Sequence, residues 1–124
     1  PAGAMYYNDQ PADMILYRGL AQQALGHHNE ALKCFHQLVD YGETHLFDEV
    51  RINYFAVSLP ELQLFEEDLT KRNQLHCRFL IGLGCLGLGE TTRAEQELVY
   101  VLENDPAHTG AVWMTHGESK VFIG

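Results

Sequence analysis

The sequence predicts an all-α fold built from antiparallel helical hairpins, and three observations carry that prediction. Apolar residues recur at three- and four-residue spacing along much of the chain. Glycines stand where two of these runs stop, and another amphipathic run follows each almost at once. One stretch also repeats itself further along the chain, Gly19 falling on Gly82.

Residues 1–11 carry Gly, Asn and Pro signals and are expected to be irregular. Helical spacing begins near Ala12 or Asp13, just after Pro11. Leu16, Leu20 and Ala24 then form a stripe, flanked by Ala21 and Leu25, that stops at Gly26. After His27, His28 and Asn29, a second stripe runs through Ala31, Leu32, Phe35, Leu38 and Val39. It is expected to end near Tyr41–Gly42 or one turn later. So short a connection forces the two helices to pack antiparallel.

Residues 43–70 read as an atypical helical pair or a lid. Val50, Tyr54 and Val57, with Phe55 beside them, mark one helix. Pro60 starts the other, with Leu62, Phe65 and Leu69 on its inner face. Glu66, Glu67 and Asp68 would sit at its C-terminal end, where the helix dipole disfavours acids, so this helix is expected to be short or frayed. A new helix starts near Thr70 or Lys71 and places Leu75, Phe79, Leu83 and Leu86 on one face, with Leu80, Gly84 and Leu88 adjacent. It stops at Gly89. The last strong helix runs through Ala94, Leu98, Val101 and Leu102 to Asn104, and Asp105-Pro106 ends it. Residues 107–124 are expected to cap the fold, with a short helix around Ala111 to His116.

The self-match runs without a gap from Gly19–Phe35 to Gly82–Leu98, a shift of 63 residues. Gly26 falls on Gly89, Ala31 on Ala94 and Phe35 on Leu98. The first glycine of each pair allows close helix approach, the second ends a helix, and the alanine marks a crossing point. This pattern resembles the tetratricopeptide repeat: small residues at the eighth and twentieth positions, a glycine between helices, an aromatic in the second helix and a proline last. The resemblance implies a short right-handed superhelix with units at about residues 12–42 and 71–106. The shift departs from the family's usual 34-residue period, which leaves residues 43–70 in the place of a unit that lacks the signature. A looser likeness, over residues 54–77 and the unit after them, is to the C-terminal helical region of large bacterial proteins of unknown function.

In that family the concave groove, lined mainly by the first helix of each hairpin, binds protein or peptide. The positions it implies here are Asp13, Leu16, Tyr17, Leu20 and Gln23, then His76 and Phe79, with Leu80, Leu83 and Leu86 alongside. The Lys, Arg and Asn clamp by which some of these modules grip a C-terminal carboxylate is not present at these positions. The apolar lining implies an apolar peptide, a neighbouring domain or the chain's own helices as occupant. A homodimer is a further expected partner arrangement, because two units alone leave end faces open.

Composition narrows the function classes. The 124 residues fit one domain, with 46% hydrophobic and 20% charged residues. A net charge of −9, without a basic patch, argues against nucleic acid and anionic lipid. No apolar run reaches the roughly 20 residues of a membrane span, and no basic-then-apolar leader opens the chain. The three cysteines, Cys34, Cys77 and Cys85, lie within apolar stripes and read as reduced core thiols. Together these features predict a cytoplasmic location; the opening Pro1 predicts an excerpt from a longer protein.

Catalytic and metal chemistry find little footing. The seven histidines include adjacent His27-His28 and His76 beside Cys77, but neighbours on a helix diverge by about 100° and cannot share a ligand. Ser58 reads as a helix-entry residue before Leu59-Pro60. The glycines of residues 82–89 alternate with leucines at helical spacing, so their amides are bonded within a helix and not free for phosphate. The expectation is no catalysis, no metal and no cofactor. Function should therefore lie in protein interaction or scaffolding. The alternative, implied by the looser likeness to large bacterial proteins, some of which carry carbohydrate-enzyme-like domains upstream, is an accessory helical domain of a carbohydrate-processing enzyme whose catalytic residues lie elsewhere.

Overall fold

The computed structural model describes residues 12–49, 60–108 and 111, apart from the side chains of Asp13, Glu61 and Leu62. These residues form four helices in the order α1 (Ala12–Ala24), α2 (His28–His45), α3 (Pro60–Leu88) and α4 (Thr91–Asn104). Among the described residues there is no strand. The all-α prediction is therefore met in its class. Val50, Tyr54, Phe55 and Val57, the irregular segment 1–11 and most of the expected helix after Ala111 lie outside the described residues.

Each hairpin closes on the same backbone turn. Helix α1 ends at Gly26, where φ is +82°, and α3 ends at Gly89, where φ is +81°. Only a residue without Cβ takes this left-handed conformation without strain. The amides of Gly26 and His27 donate to the carbonyls of Gln23 and Gln22, at 3.0 and 2.8 Å. The amides of Gly89 and Glu90 donate to Leu86 and Cys85, at 3.2 and 2.9 Å. This paired closure satisfies carbonyls that a helix end would otherwise leave without partners. His27 and Glu90 then begin the next helix, accepting from Ala31 and Ala94 at 3.0 Å each. Every one of these residues corresponds to its counterpart at a shift of 63.

Helix-to-helix contact follows the same correspondence. A Cβ on Gly19 would strike the ring of Phe35, and one on Gly82 would strike the side chain of Leu98. Glycine in the first helix thus makes room for the large residue of the second, and Phe35 and Leu98 are almost fully buried. Helix α2 packs on α3 as well as on α1, and α4 packs on α3. One core results, drawing on all four helices and on Ala111.

The structure corrects the sequence reading of residues 60–88. A break was expected near Thr70, yet α3 is a single helix of 29 residues, about 43 Å long at 1.5 Å per residue. Nothing between Pro60 and Gly82 interrupts a helix. Once the helix continues, Glu66, Glu67 and Asp68 lie in its interior, where the terminal dipole effect has faded. Asp68 instead pairs with Arg72 at 3.0 Å, one turn on, in the order that favours helix. Phe65, expected on an inner face, is half exposed, as is Leu64 beside it. The buried face of α3 begins at Asn73.

Asn73 is a polar residue set into the core, only 5% exposed. Its Nδ2 donates to the carbonyl of His45 at 2.9 Å, and more weakly to that of Asp48 at 3.5 Å. It thereby serves the last carbonyl of α2 from a different helix. The thiol of Cys77 lies 3.8 Å from its Oδ1. Asn73→Ala should cost about 1–2 kcal/mol, because it removes one of the two hydrogen bonds to the His45 carbonyl, leaving only that from the Asp48 amide at 3.1 Å, and opens a small cavity. Thermal unfolding followed by circular dichroism checks the loss; an unchanged midpoint would mean that solvent already reaches the His45 carbonyl.

Candidate functional site

The candidate positions on α1 and α3 divide into a buried set and an exposed set. Leu16 is fully buried and Phe79 is 8% exposed, and both belong to the common core. Leu80, Leu83 and Leu86 are buried with them. Leu20 is half-buried against that core. Because α1 packs against α3, these positions face the other helices and not an open groove. Leu16 and Phe79 are thus packed within the shared core. Tyr17 and Gln23 remain exposed on α1, and His76 is half-buried on α3. Asp13 lies in the first turn of α1.

Two groups that spacing did not single out tie α4 and α2 to their neighbours. Arg78 on α3 donates to both carboxylate oxygens of Glu97 on α4, at 3.0 and 3.3 Å, and its guanidinium lies 4.8 Å from the Tyr100 ring centre. Arg93 donates to Glu43 at 2.8 Å, joining α4 to the end of α2. The second pair is exposed and should contribute less than about 1 kcal/mol. Glu97 is the most sheltered of the four ion-pair members, which makes Arg78–Glu97 the stronger tie.

His76 sits where α3 meets the turn after α4. Burial, with a smaller contribution from the charge His108 would carry, lowers its pKa to about 4. His76 is therefore neutral at pH 7. In the unfolded chain it takes up a proton near the ordinary value of 6.5, whereas the folded chain resists until about 4. The stabilisation is complete above pH 6.5 and is lost as pH falls towards 4, because the unfolded state then binds more protons. At 1.36 kcal/mol per unit, discounted for partial exposure, the loss should be about 1–2 kcal/mol. Urea midpoints across this pH window should show the decline, and His76→Phe should flatten it. Equal slopes in both proteins would place the acid sensitivity elsewhere.

The cysteines are all free and buried. Burial, only partly offset by nearby Arg93, raises the pKa of Cys85 to about 11, so it stays a protonated thiol at neutral pH. His27 Nδ1 lies 2.7 Å from Gln22 Oε1, and His45 Nδ1 lies 2.6 Å from Asp48 Oδ2. Both are local contacts within a turn. Among the described residues, no three His, Cys, Asp or Glu side chains are placed to hold a metal ion.

Two open clefts flank α3. One of about 530 Å³ is lined by Glu49, Gln63, Glu66, Glu67, Thr70, Lys71 and Gln74. The other, of about 500 Å³, lies between α3 and the end of α4, against Leu75, Tyr100, Asn104 and Asp105. Their walls are largely charged or amide side chains, unlike the mainly apolar wall that encloses most small ligands. Glu66-Glu67-Asp68 and Lys71-Arg72 thus form a solvated face of a continuous helix. No described helix is long and apolar enough to cross a membrane.

The described residues form an all-helical fold of two like hairpins sharing one core. No family model matches the chain, and no solved structure matches it.

Proposed function

We propose that this chain is a non-catalytic protein-interaction or scaffold module of the tetratricopeptide-repeat type, its hairpins stacked as a short right-handed superhelix. The observation that carries the reading is the shared turn at Gly26 and Gly89, with the glycine–large-residue contact repeated at Gly19–Phe35 and Gly82–Leu98. A hairpin built twice to the same geometry is the unit from which helical interaction arrays are made. The protonated, buried thiol of Cys85 is consistent with a core role rather than a nucleophilic one.

The partner surface in this reading is the exposed surface of α1, with Tyr17 one turn from Met14 and Gln23 on another flank near the end of the helix. Its occupant is a protein segment or a neighbouring domain of the same polypeptide. An exposed tyrosine one turn from an exposed methionine suits a contact of mixed apolar and hydrogen-bonding character.

The test is affinity capture with wild type and with Tyr17→Ala/Gln23→Ala as baits. Leu16 is unsuitable for this purpose, since its replacement would disturb the core. Both residues are exposed, so the double variant should keep its helical circular dichroism and its melting midpoint. Loss of a captured protein from the folded variant supports the reading. Identical captures from both baits would exclude this face of α1.

A further inference from the structure

One side of α1 is buried, at Ile15, Leu16 and Gly19. On a helix at the surface the opposite side is normally polar. Here it is apolar. Met14, Tyr17, Ala21 and Ala24 recur at spacings of three, four and three residues, and all four are exposed, Met14 at 55%. At about 100° per residue they fall in one stripe about 80° wide, half a turn from Gly19, which faces α2. Exposed Arg18 and Leu25 flank the stripe on one side.

The chain itself shows what such a stripe receives. At the shift of 63 the four positions correspond to Cys77, Leu80, Gly84 and Gly87 of α3. There α2 lies over the stripe, and Cys77 and Leu80 are buried. The space beside Gly84 is taken by Val39 and the Phe35 backbone, and that beside Gly87 by the Phe35 ring. The two helices run antiparallel, since Gly42, further along α2, meets Cys77 and Ile81, further back on α3. Large side chains of one helix thus enter beside small residues of the other. In α1 the small positions are held by Ala21 and Ala24, and both are exposed.

We propose that a second copy of this chain covers the stripe, the two α1 helices packing antiparallel about a two-fold axis level with Gly19. Positions 14 and 24 lie equally far from 19, as do 17 and 21. The axis therefore sets Met14 against the partner's Ala24 and Tyr17 against the partner's Ala21. Every layer joins one large and one small residue, and the surface is complementary to itself, as a two-fold interface requires. The spacing is also that of a coiled-coil seam. A helix of unrelated sequence would have to supply the same alternation, whereas a second α1 already carries it. Arg18 lies beside the seam, where its long side chain reaches water. The proposal rests on the reading of α1 as the partner surface and names its occupant.

Helix α1 has 13 residues, about 20 Å of contact, which belongs at the small end of specific interfaces. The dimer should be reversible, with a Kd on the order of 10–100 μM. The experiment is sedimentation equilibrium of the full chain from about 5 to about 500 μM, a range that brackets this affinity. Circular dichroism melts confirm that each variant folds. Ala21→Tyr sets tyrosine against tyrosine, and Tyr17→Ala leaves two alanines facing across a gap. Each should weaken the dimer at least about tenfold. Tyr17→Ala/Ala21→Tyr exchanges the large and small members of one layer, so its Kd should return to within about threefold of wild type.

A wild type that stays monomeric throughout the range would overturn the proposal. So would a folded double variant that associates no more tightly than the single ones. A monomeric wild type that still captures a protein through Tyr17 and Gln23 would remove the second copy and leave α1 as a partner surface. Dimerisation restored by the exchange, with no protein captured, would establish the second copy as the occupant.

Discussion

Phe35→Ala should destabilise the protein by about 3–5 kcal/mol, a large share of the roughly 5–15 kcal/mol that holds a domain together. The ring is 1% exposed and joins both hairpins: it fills the space left by Gly19 in α1 and by Gly87 in α3. Removing it opens a cavity bounded by helix backbones, which cannot close in as a flexible side chain could. Urea unfolding should show a lower midpoint with little change in slope. Leu32→Ala in the same helix is the control, because Leu32 is 44% exposed and its loss should stay within about 0.5 kcal/mol. A Phe35→Ala cost near that of the control would show that the hairpins do not meet at this ring.

Gly84→Ala should cost about 2–3 kcal/mol net, although alanine is the better helix former by about 1 kcal/mol. The reason lies in what a methyl group would meet. At Gly84 it would come within 2.7 Å of the Phe35 carbonyl oxygen and 3.0 Å of the Val39 amide nitrogen, both fixed in the backbone of α2. Relief therefore requires α2 and α3 to move apart, which loosens every contact between them. Gly42 has a similar constraint from the other helix, its Cβ meeting the Cys77 carbonyl oxygen at 2.6 Å. At Gly87 the obstacle is the Phe35 ring, a side chain, so Gly87→Ala combined with Phe35→Leu should recover part of the loss. A melting midpoint for Gly84→Ala at or above wild type would contradict close α2–α3 packing.

Where local chemistry governed structure, the sequence was readable. Gly26 and Gly89 stop helices because their conformation excludes a side chain, and both stops were visible as glycines between amphipathic runs. The self-match set Gly19 on Gly82 and Phe35 on Leu98 and read the glycines as points of close helix approach, but which side chain each glycine admits is seen only in the packed helices. The error at Thr70 had a definite origin. The acids at 66–68 were read as a helix end, whereas the downstream Arg72 turns that stretch into interior helix. Spacing could not reveal that Leu16 and Phe79 face inwards, since an apolar stripe looks the same whether it lines a groove or a core. Asn73 left a trace, as a polar residue in the stripe that continues through Cys77, but its acceptor at His45 is 28 residues away. The ring contact of His108 with Phe79 left none, because it depends on how the chain turns after Asp105.

The central claim is that two like hairpins are keyed together through Phe35. The most direct test is a carbon-edited NOE spectrum of the labelled protein. The account predicts cross-peaks from the Phe35 ring to the α-protons of both Gly19 and Gly87, and from the Leu98 methyls to those of Gly82. Cross-peaks from Phe35 to Gly19 without any to Gly87 would mean that the hairpins fold as separate units, and would contradict the shared core.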